Sequence, residues 1–433
     1  MNPNRLQVGI DFSQKHVDVC VLHPDGQPLI HHQAFANSQP GYQQARRLLL
    51  KTMDQHPFEG LDVSGEATSY YWLPFFWQMA HDAELEAIDL NLFLLNPRQV
   101  HWFKKSLPPD DRTDATDPFY IAERTRTRRP KNPWDPQDEW LPLRFYTRLR
   151  FHLAQALSRE KNYYLIHLFL LHNTYQGTKP FSDPFGVTSQ KVLNGEPSLA
   201  ELANLPLEEL AQRLEAWSGG TLGDSLEIAR KLKQVVAESF SFSEPLITPV
   251  QRILDLTLTQ IRFIQKQAKQ VEEWIEAEVK EHHPEVLCLK TVPGVGLFLA
   301  AGIAAEIGDL QRFFRTPKWD KKRKRYRTKT LREVEDAVAK LAGLWWPKSS
   351  SGEFTAEDRR LSKSGNRYLR YYLFLAANGM RRHIPAYSRY YRRKHREATR
   401  HHHKRALVLT ARKSVGLFVG LLHRKEAYRS QED

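Results

Sequence analysis

The feature that most constrains the fold is the first apolar run, Leu6-Gln7-Val8-Gly9-Ile10-Asp11. Its apolar residues alternate with smaller or polar neighbours, which is the period of a strand with one buried face. A second alternating run over residues 17–22 is followed by the turn signal Asp25-Gly26 and by another apolar stretch. The pattern predicts antiparallel strands with Asp11 held rigidly on a central one, where a carboxylate suits a metal site.

Strands continue to alternate with helices over the next hundred residues. We predict helices over 42–53 and 70–81, strands over 61–66 and 85–95, and a further helix from 112 to about 123. Strands alternating with helices indicate a mixed α/β layer fold. The sequence therefore predicts one α/β domain over residues 1–125.

Residues 126–282 have a helical pattern. A segment rich in Arg, Pro and Trp over 124–141 is predicted to run along the surface, and a module with turn signals at both ends is inserted near 178–245. Apolar residues at heptad spacing over 249–282 predict one arm of a coiled coil that mediates dimerisation. A long helix packed inside a single domain is the alternative.

Residues 283–433 are predicted to form a third, mainly helical domain. The run Thr291-Val292-Pro293-Gly294-Val295-Gly296 followed by small apolar residues predicts a helix-hairpin-helix. Gly294 and Gly296 would let the backbone approach a phosphate, and the next helix offers N–H donors to it. A structural hairpin that binds no DNA would have a similar pattern.

The positive charge is concentrated near the C-terminus. The chain carries a net +14, yet residues 359–429 hold 20 Lys and Arg against two acids, so the remainder is net negative. Residues 315–332 hold ten Lys and Arg against one acid, with Trp319 and Tyr326 interleaved. Charge with aromatics indicates nucleic-acid binding, and we predict contacts from Lys322, Arg323, Lys324 and Arg325. A solvated basic loop is the alternative.

The cysteine content and the distribution of apolar residues indicate the cellular compartment. Two cysteines, Cys20 and Cys288, cannot form a disulfide framework, which favours a reducing environment. The N-terminus has no apolar signal region and no apolar run reaches about 18 residues, so we predict a soluble, cytoplasmic protein with no membrane partner. His401-His402-His403 is interpreted as nucleic-acid surface rather than as a metal site.

Four acids follow the order that a two-metal nuclease needs. Asp11 and Glu66 end predicted strands, and Asp114 and Asp117 lie three residues apart, which places both on one face of a helix. Hard cations such as Mg²⁺ prefer oxygen ligands, and such a site can activate a nucleophile and stabilise the leaving oxygen. This arrangement is that of an RNase H-like nuclease core, with Asp11, Glu66, Asp114 and Asp117 as metal ligands.

The chain resembles the DEDD transposases of insertion sequence family 110. The resemblance rests on Val8-Gly9-Ile10-Asp11, Gly65-Glu66-Ala67-Thr68, Asn96-Pro97 and Thr113-Asp114-x-x-Asp117, and near the C-terminus on Pro293-Gly294-Val295-Gly296, Ala342-Gly343-Leu344, Ser351-Gly352 and Ser362–Arg370. These motifs keep the family's order over residues 6–123 and about 287–425. The module near 178–245 and the basic segment 315–332 are interpreted as insertions.

The resemblance implies a RuvC-like domain that binds Mg²⁺ and a transposase domain whose serine attacks DNA to form a phosphoserine link. By position that serine is similar to Ser351, although Ser349 and Ser350 stand beside it. The resemblance further implies double-stranded DNA of element and target, a structured guide (bridge) RNA, and a homodimer or tetramer in a prokaryotic, nucleoid-associated setting. Lys363, Asn366, Arg367 and Arg370 of the motif are expected to contact nucleic acid.

Three other functions remain open from the residues. A hydrolytic, junction-resolving nuclease would use the same carboxylates to activate water, with Ser351 as a loop residue. A sugar-kinase or actin-like ATPase also begins with a strand and an Asp, but the Gly-rich phosphate loops of that class are not seen at later strand turns. A non-catalytic nucleic-acid-binding protein would lose nothing when Asp11 is replaced.

Overall fold

In the computed structural model, the chain divides into two compact units. One combines residues 1–141 with 285–433, and the other spans Pro142–Pro284. The structure describes residues 4–56, 58–107, 116–130, 133–315, 317–320, 323–347, 350–351, 354–355, 361–362 and 364–430. For residues 350, 351, 354 and 355 only the backbone is described.

The N-terminal part of the first unit is built on a five-stranded mixed sheet. Its strands are β1 (Arg5–Phe12), β2 (His16–Leu22), β3 (Pro28–Ala36), β4 (Gly60–Glu66) and β5 (Leu90–Leu95). The spatial order is β3-β2-β1-β4-β5, with β1 antiparallel to β2 and parallel to β4. The predicted α/β class is confirmed, the order and directions are those of the predicted RNase H-like domain, and the strand bearing Asp11 is central.

The helices described beside this sheet are α1 (Gln39–Asp54), α2 (Leu73–Ala80), α3 (Ala83–Glu86), α4 (Pro97–Lys105) and α5 (Asp117–Thr127). The core between the helices and the sheet contains the inward residues of β1, such as Leu6, Val8 and Ile10, all at most 1% exposed. The predicted strand start at Leu85 is wrong, because Asp82 caps the short helix α3 there and β5 begins at Leu90.

The segment 124–141 does not simply run along the surface as predicted. Trp134 packs edge-on against Trp72 with ring centroids 5.5 Å apart, and its backbone N–H donates to the carbonyl of Leu92. A large aromatic side chain gains more by covering the core than by facing water. Trp134 of this segment therefore covers part of the α/β core.

The second unit is entirely helical in the residues described. It contains α6 (Leu141–Leu171), α7 (Tyr175–Thr178), α8 (Val187–Asn194), α9 (Leu199–Asn204), α10 (Leu207–Ser218), α11 (Ser225–Glu238) and α12 (Glu244–His282). The short helices form one core with Tyr164 and Leu168 of α6 and with Leu254 and Leu258 of α12. The inserted module is therefore part of this core.

The heptad positions of α12 are buried inside the chain itself. Apolar residues that recur every three or four positions from Leu254 to Val279 are at most 5% exposed. Helix α6 runs antiparallel along α12, since Arg150 pairs with Glu272 at 2.7 Å and Tyr146 meets Trp274. The pattern thus describes a helix pair within one chain, as the alternative interpretation predicts, and an intermolecular coiled coil stays a proposal.

The C-terminal part of the first unit is mainly helical, as predicted. It contains α13 (Val286–Lys290), α14 (Leu297–Ile307), α15 (Gln311–Arg315), α16 (Leu331–Leu341), α17 (Arg367–His383), α18 (Pro385–Arg396) and α19 (His402–Arg424). Two small antiparallel pairs interrupt the helices, β6 (Lys318–Asp320) with β7 (Arg325–Arg327), and β8 (Ser350–Ser351) with β9 (Phe354–Thr355).

Helix α19 is, among the described residues, the one helix long and apolar enough by composition to cross a membrane. The prediction that no apolar segment reaches that length therefore needs this correction. Half of its apolar window is buried, because residues such as Val415 and Phe418 pack inside the protein. Such burial is also what a core helix of a soluble protein shows, so the length of α19 is weak support for a membrane span.

Candidate active site

A glycine on the central strand brings helix α5 to the site. A Cβ built on Gly9 would lie 2.0 Å from the carbonyl oxygen of Pro118 and 2.5 Å from the backbone nitrogen of Ala122. Only glycine permits that approach, so the first turn of α5 lies directly on β1. Residues two apart on a strand share a face, and Asp11 therefore points to the side on which α5 begins.

Two of the other predicted carboxylates, Glu66 and Asp117, lie close enough to Asp11 to act on its charge. Ile10 pairs with Gly65 in the parallel ladder of β1 and β4, so the residues that follow them, Asp11 and Glu66, lie side by side. Asp117 is the first residue of α5. Burial, followed by the charges of Asp117 and Glu66, raises the pKa of Asp11 to about 6. A carboxylate whose pKa is raised by neighbouring negative charges is suited to bind a cation, because the cation offsets the repulsion.

The fourth predicted ligand, Asp114, lies outside the described residues. Within the described part of the chain, no group of three or more His, Cys, Asp or Glu side chains has the arrangement of a metal site. Helix α5 is described from Asp117, with Thr116 as its N-cap and Pro118 in its first turn, and its predicted start at residue 112 lies outside the described residues. The donor chemistry of Asp11, Glu66 and Asp117 fits a hard divalent cation, which prefers carboxylate oxygen.

One site residue, Lys104, was missed from sequence. Its ammonium lies 2.6 Å from Oδ1 of Asp117, and only 14% of its side chain is exposed. The same positive charge opposes the rise in the pKa of Asp11. A lysine near the end of α4 carries no sequence signal for this role, because the contact depends on how α4 and α5 pack together.

The structure gives the backbone position of Ser351 only. Ser351 pairs with Phe354 in the two-residue ladder of β8 and β9, and Ser350 pairs with Thr355. The described backbone at Ser350 and Ser351 is therefore part of a short antiparallel ladder. Ser349 lies outside the described residues, as do Lys322 and Lys363 of the predicted nucleic-acid contacts.

The two glycines of the predicted helix-hairpin-helix have different surroundings. Gly294 has φ +85°, and a Cβ there would lie 2.5 Å from the carbonyl carbon of Gly379 in α17. The absence of a side chain at Gly294 therefore lets its backbone pack closely against α17. Gly296 is the N-cap of α14 and has open space beyond its Cα, so it keeps the access that a phosphate would need.

The described residues of the Ser362–Arg370 motif differ in what they contact. Asn366 caps α17 by accepting from the backbone of Tyr368 and Leu369, and its amide donates to buried Glu306 at 2.5 Å. Arg370 donates to the carbonyl of Ala342, and burial, with the charge of Arg98, lowers its pKa. Arg367 is exposed and lies over the ring of Tyr368.

The basic segment 315–332 forms a small ribbon from β6 and β7. Trp319 and Tyr326 are opposite each other in register, with ring centroids 5.0 Å apart and 48% and 68% exposure. Lys318 and Arg327 both pair with Glu333 at 2.7 Å, and these cations hold the pKa of Glu333 well below its usual range. The ribbon is thus anchored on α16, with exposed aromatic rings and with Arg323, Lys324 and Arg325 at and beside its turn.

Two family models match the chain. A model described as a transposase of the DEDD IS110 type matches residues 8–172, and one described as a transposase of the IS116/IS110/IS902 family matches residues 328–392. The first match contains Asp11, Glu66 and Asp117, the second contains Ser351, and together they cover a little over half of the chain. The ribbon lies outside both matches, and no curated protein matches the chain.

Proposed function

This chain belongs to the IS110 family of DEDD transposases, and on that premise we propose how its residues cleave and exchange DNA. As a transposase, it is an enzyme that cleaves and recombines the DNA of a mobile element. The observation that carries the proposal is that the charges of Glu66 and Asp117 act on half-buried Asp11, where α5 lies on β1. Such a cluster has no stabilising role by itself, because its carboxylates repel each other.

We propose that Asp11, Glu66, Asp114 and Asp117 hold Mg²⁺. When bound, the ion supplies electrostatic stabilisation of the charge that develops on a reacting phosphodiester. The protein contributes the positions of the carboxylates, which are set by the sheet and by α5. It also contributes a half-buried setting, where such charges act more strongly than in bulk water.

Ser351 is proposed as the nucleophile. Its Oγ forms a bond to the phosphorus while the P–O3′ bond breaks, and the serine proton is lost as the 3′ oxygen gains one. The products are a phosphoserine link and a free 3′-OH, and reversal of the step on another strand completes exchange. The link conserves the energy of the phosphodiester, so no nucleotide cofactor is needed. A hydroxyl needs activation, which requires Ser351 to meet the carboxylate site of the same or a partner chain.

Metal dependence tests the carboxylate site. Cleavage of a plasmid carrying the element ends should require Mg²⁺ or Mn²⁺ and stop in EDTA. It should also fall as the pH drops below about 6, because the proton on Asp11 then competes with the metal. Cleavage that persists in EDTA would contradict the proposed role of the four acids.

Lys104 gives this site a built-in cation, and its removal is expected to strengthen metal binding. In Lys104→Met, Asp117 loses its ion pair, so a divalent ion no longer has to displace the ammonium. We expect the Mn²⁺ affinity from isothermal titration calorimetry to rise by several-fold, about the scale of one largely buried pair. The control is Lys105→Met, whose side chain is exposed. Equal affinity in both variants would contradict this role.

The C-terminal part is proposed to bind nucleic acid, including a structured guide RNA as well as the DNA. Its support is the +18 charge of residues 359–429 and the anchored ribbon. We further propose that the protein acts as a homodimer or tetramer assembled through the second unit. A cytoplasmic, nucleoid-associated location follows from its DNA substrate.

The ribbon offers a direct test of that binding. Arg323→Gln, Lys324→Gln and Arg325→Gln together should weaken binding to duplex DNA and lower the slope of log Kd against log salt by about 2–3. Fluorescence anisotropy at several salt concentrations measures both. A control triple variant removes Lys266, Lys269 and Lys280 from α12, where the slope should stay at the wild-type value. An unchanged slope in the ribbon variant would contradict the proposal that the ribbon binds DNA.

A further inference from the structure

A pocket on helix α18 is not used by the proposed mechanism. It has a volume of about 500 Å³ and is lined by Tyr391, Arg392, His395 and Arg396. Tyr391 and His395 are four residues apart, as are Arg392 and Arg396, so two rings and two guanidiniums occupy adjoining faces of one helix. The volume is within the range of small-molecule sites in proteins.

The rings of this pocket are held in place from behind. The hydroxyl of Tyr391 is 2.7 Å from Nδ1 of His403, and the guanidinium of Arg381 lies 4.5 Å from the centre of the Tyr391 ring. Nδ1 of His402 is 2.9 Å from the carbonyl oxygen of His395. Helices α17 and α19 therefore position the two rings that a flat ligand would stack on.

The cations of the pocket are available to an anion. The one acid in the sequence from Pro385 to Arg424, which spans α18 and α19, is Glu397. It forms ion pairs with Lys394 at 2.5 Å and with Arg393 at 3.7 Å. Within the described part of the chain, Arg392 and Arg396 have no carboxylate partner, and both are exposed. Guanidiniums four residues apart on a helix are suited to bind phosphate oxygens, for which arginine has a matching fork geometry.

We propose that this pocket binds one unpaired nucleotide of a nucleic acid. Its base would stack against Tyr391 and His395, and its phosphate would lie between Arg392 and Arg396. Aromatic side chains recognise unstacked bases, whereas a duplex keeps its bases stacked and out of reach of such a pocket. The inference rests on the proposed nucleic-acid function and names the ligand of one site within it; the same chemistry could come from DNA or RNA.

Binding by the full-length chain in EDTA tests the pocket, because no cleavage can then occur. The probes are a hairpin duplex with one unpaired 2-aminopurine and its fully paired counterpart, each made as DNA and as RNA. We expect the chain to prefer the unpaired probe by roughly tenfold in at least one of the two series, with quenching of the 2-aminopurine. The series that shows the preference identifies the strand type.

Two double variants separate the pocket from general charge. Arg392→Gln with Arg396→Gln should abolish the preference, whereas Arg389→Gln with Arg393→Gln, on the same helix outside the pocket, should keep it. Arg392→Gln with Arg396→Gln should also lower the salt slope by about 1.4–1.8, because two proposed phosphate contacts are lost. Tyr391→Phe should keep the preference and Tyr391→Leu should lose it, since only the leucine removes the ring.

Equal binding of paired and unpaired probes by the wild type in both series would overturn the proposal. So would a preference that survives in Arg392→Gln with Arg396→Gln. These results are independent of the active site. If the protein prefers the unpaired nucleotide but never cleaves DNA, the pocket proposal stands and the proposed function is contradicted. If it cleaves DNA without this preference, the proposed function stands and the pocket proposal is contradicted.

Discussion

Asp11→Asn is expected to lower the rate of DNA strand cleavage by at least about a thousandfold, which corresponds to roughly 4 kcal/mol of lost transition-state stabilisation. The amide has nearly the shape of the carboxylate but carries no charge, so β1 and its contact with α5 should remain intact. Binding to DNA should change by less than about twofold, because the phosphate-binding cations lie elsewhere in the chain. Plasmid cleavage and anisotropy measure the two effects separately.

Asp18→Asn is the matched control. Asp18 lies directly opposite Asp11 in the antiparallel pair, but its carboxylate is held by His32 at 2.7 Å. Removing its charge should leave cleavage within a few-fold of the wild type. Equal losses of cleavage rate in Asp11→Asn and Asp18→Asn would contradict the specific role of Asp11. They would mean that cleavage depends only on the total negative charge at this edge of the sheet.

Gly9→Ala is expected to have the second large effect. The added methyl group would overlap the carbonyl of Pro118 and the nitrogen of Ala122, and neither backbone atom can move without moving α5. Overpacking of this kind costs about 1–3 kcal/mol of stability. It would also shift Asp117 relative to Asp11, and a displacement of about 1 Å can cost a hundredfold in rate.

The measurements are the free energy of unfolding from urea denaturation and the rate of plasmid cleavage. Gly177→Ala is the control, because a Cβ at Gly177 meets nothing within 4 Å and its φ is not in the left-handed region. It should keep the wild-type cleavage rate and be at least as stable as the wild type, because alanine loses less conformational entropy than glycine in a helix. Wild-type stability and cleavage in Gly9→Ala would show that α5 does not need its contact with β1.

The α/β core could be predicted from sequence because its signals are local. The alternation around Ile10 identifies a strand, the Asp-Gly turn separates β2 from β3, and a carboxylate at a strand end predicts a site. The start of β5 was predicted less accurately, because the cap at Asp82 starts a short helix where the strand was expected. Such caps act over one turn, so a pattern spread over ten residues does not locate them.

Long-range contacts were beyond the sequence. The pair of Lys104 and Asp117 and the approach of Gly294 to Gly379 depend on how helices pack, and neither leaves a periodic signal. The sequence predicted that Gly294 lets the backbone approach a phosphate, whereas its observed close neighbour is Gly379 of α17. Similarly, the heptad pattern of α12 predicted which face of the helix is buried. It did not predict which element covers that face, because a helix of the same chain and a helix of another chain fit the pattern equally well.

The most direct test of the account is to trap and sequence a covalent protein–DNA adduct. The protein is co-expressed with its flanking element DNA, denatured, and its DNA-linked peptide is identified by mass spectrometry. We predict an adduct on Ser351 that is absent in Asp11→Asn and in Ser351→Ala, and present in Asp18→Asn. An adduct on Ser349 or Ser350 would keep the mechanism and move the nucleophile. Metal-dependent cleavage with no adduct on any serine would contradict the covalent mechanism and support a hydrolytic nuclease.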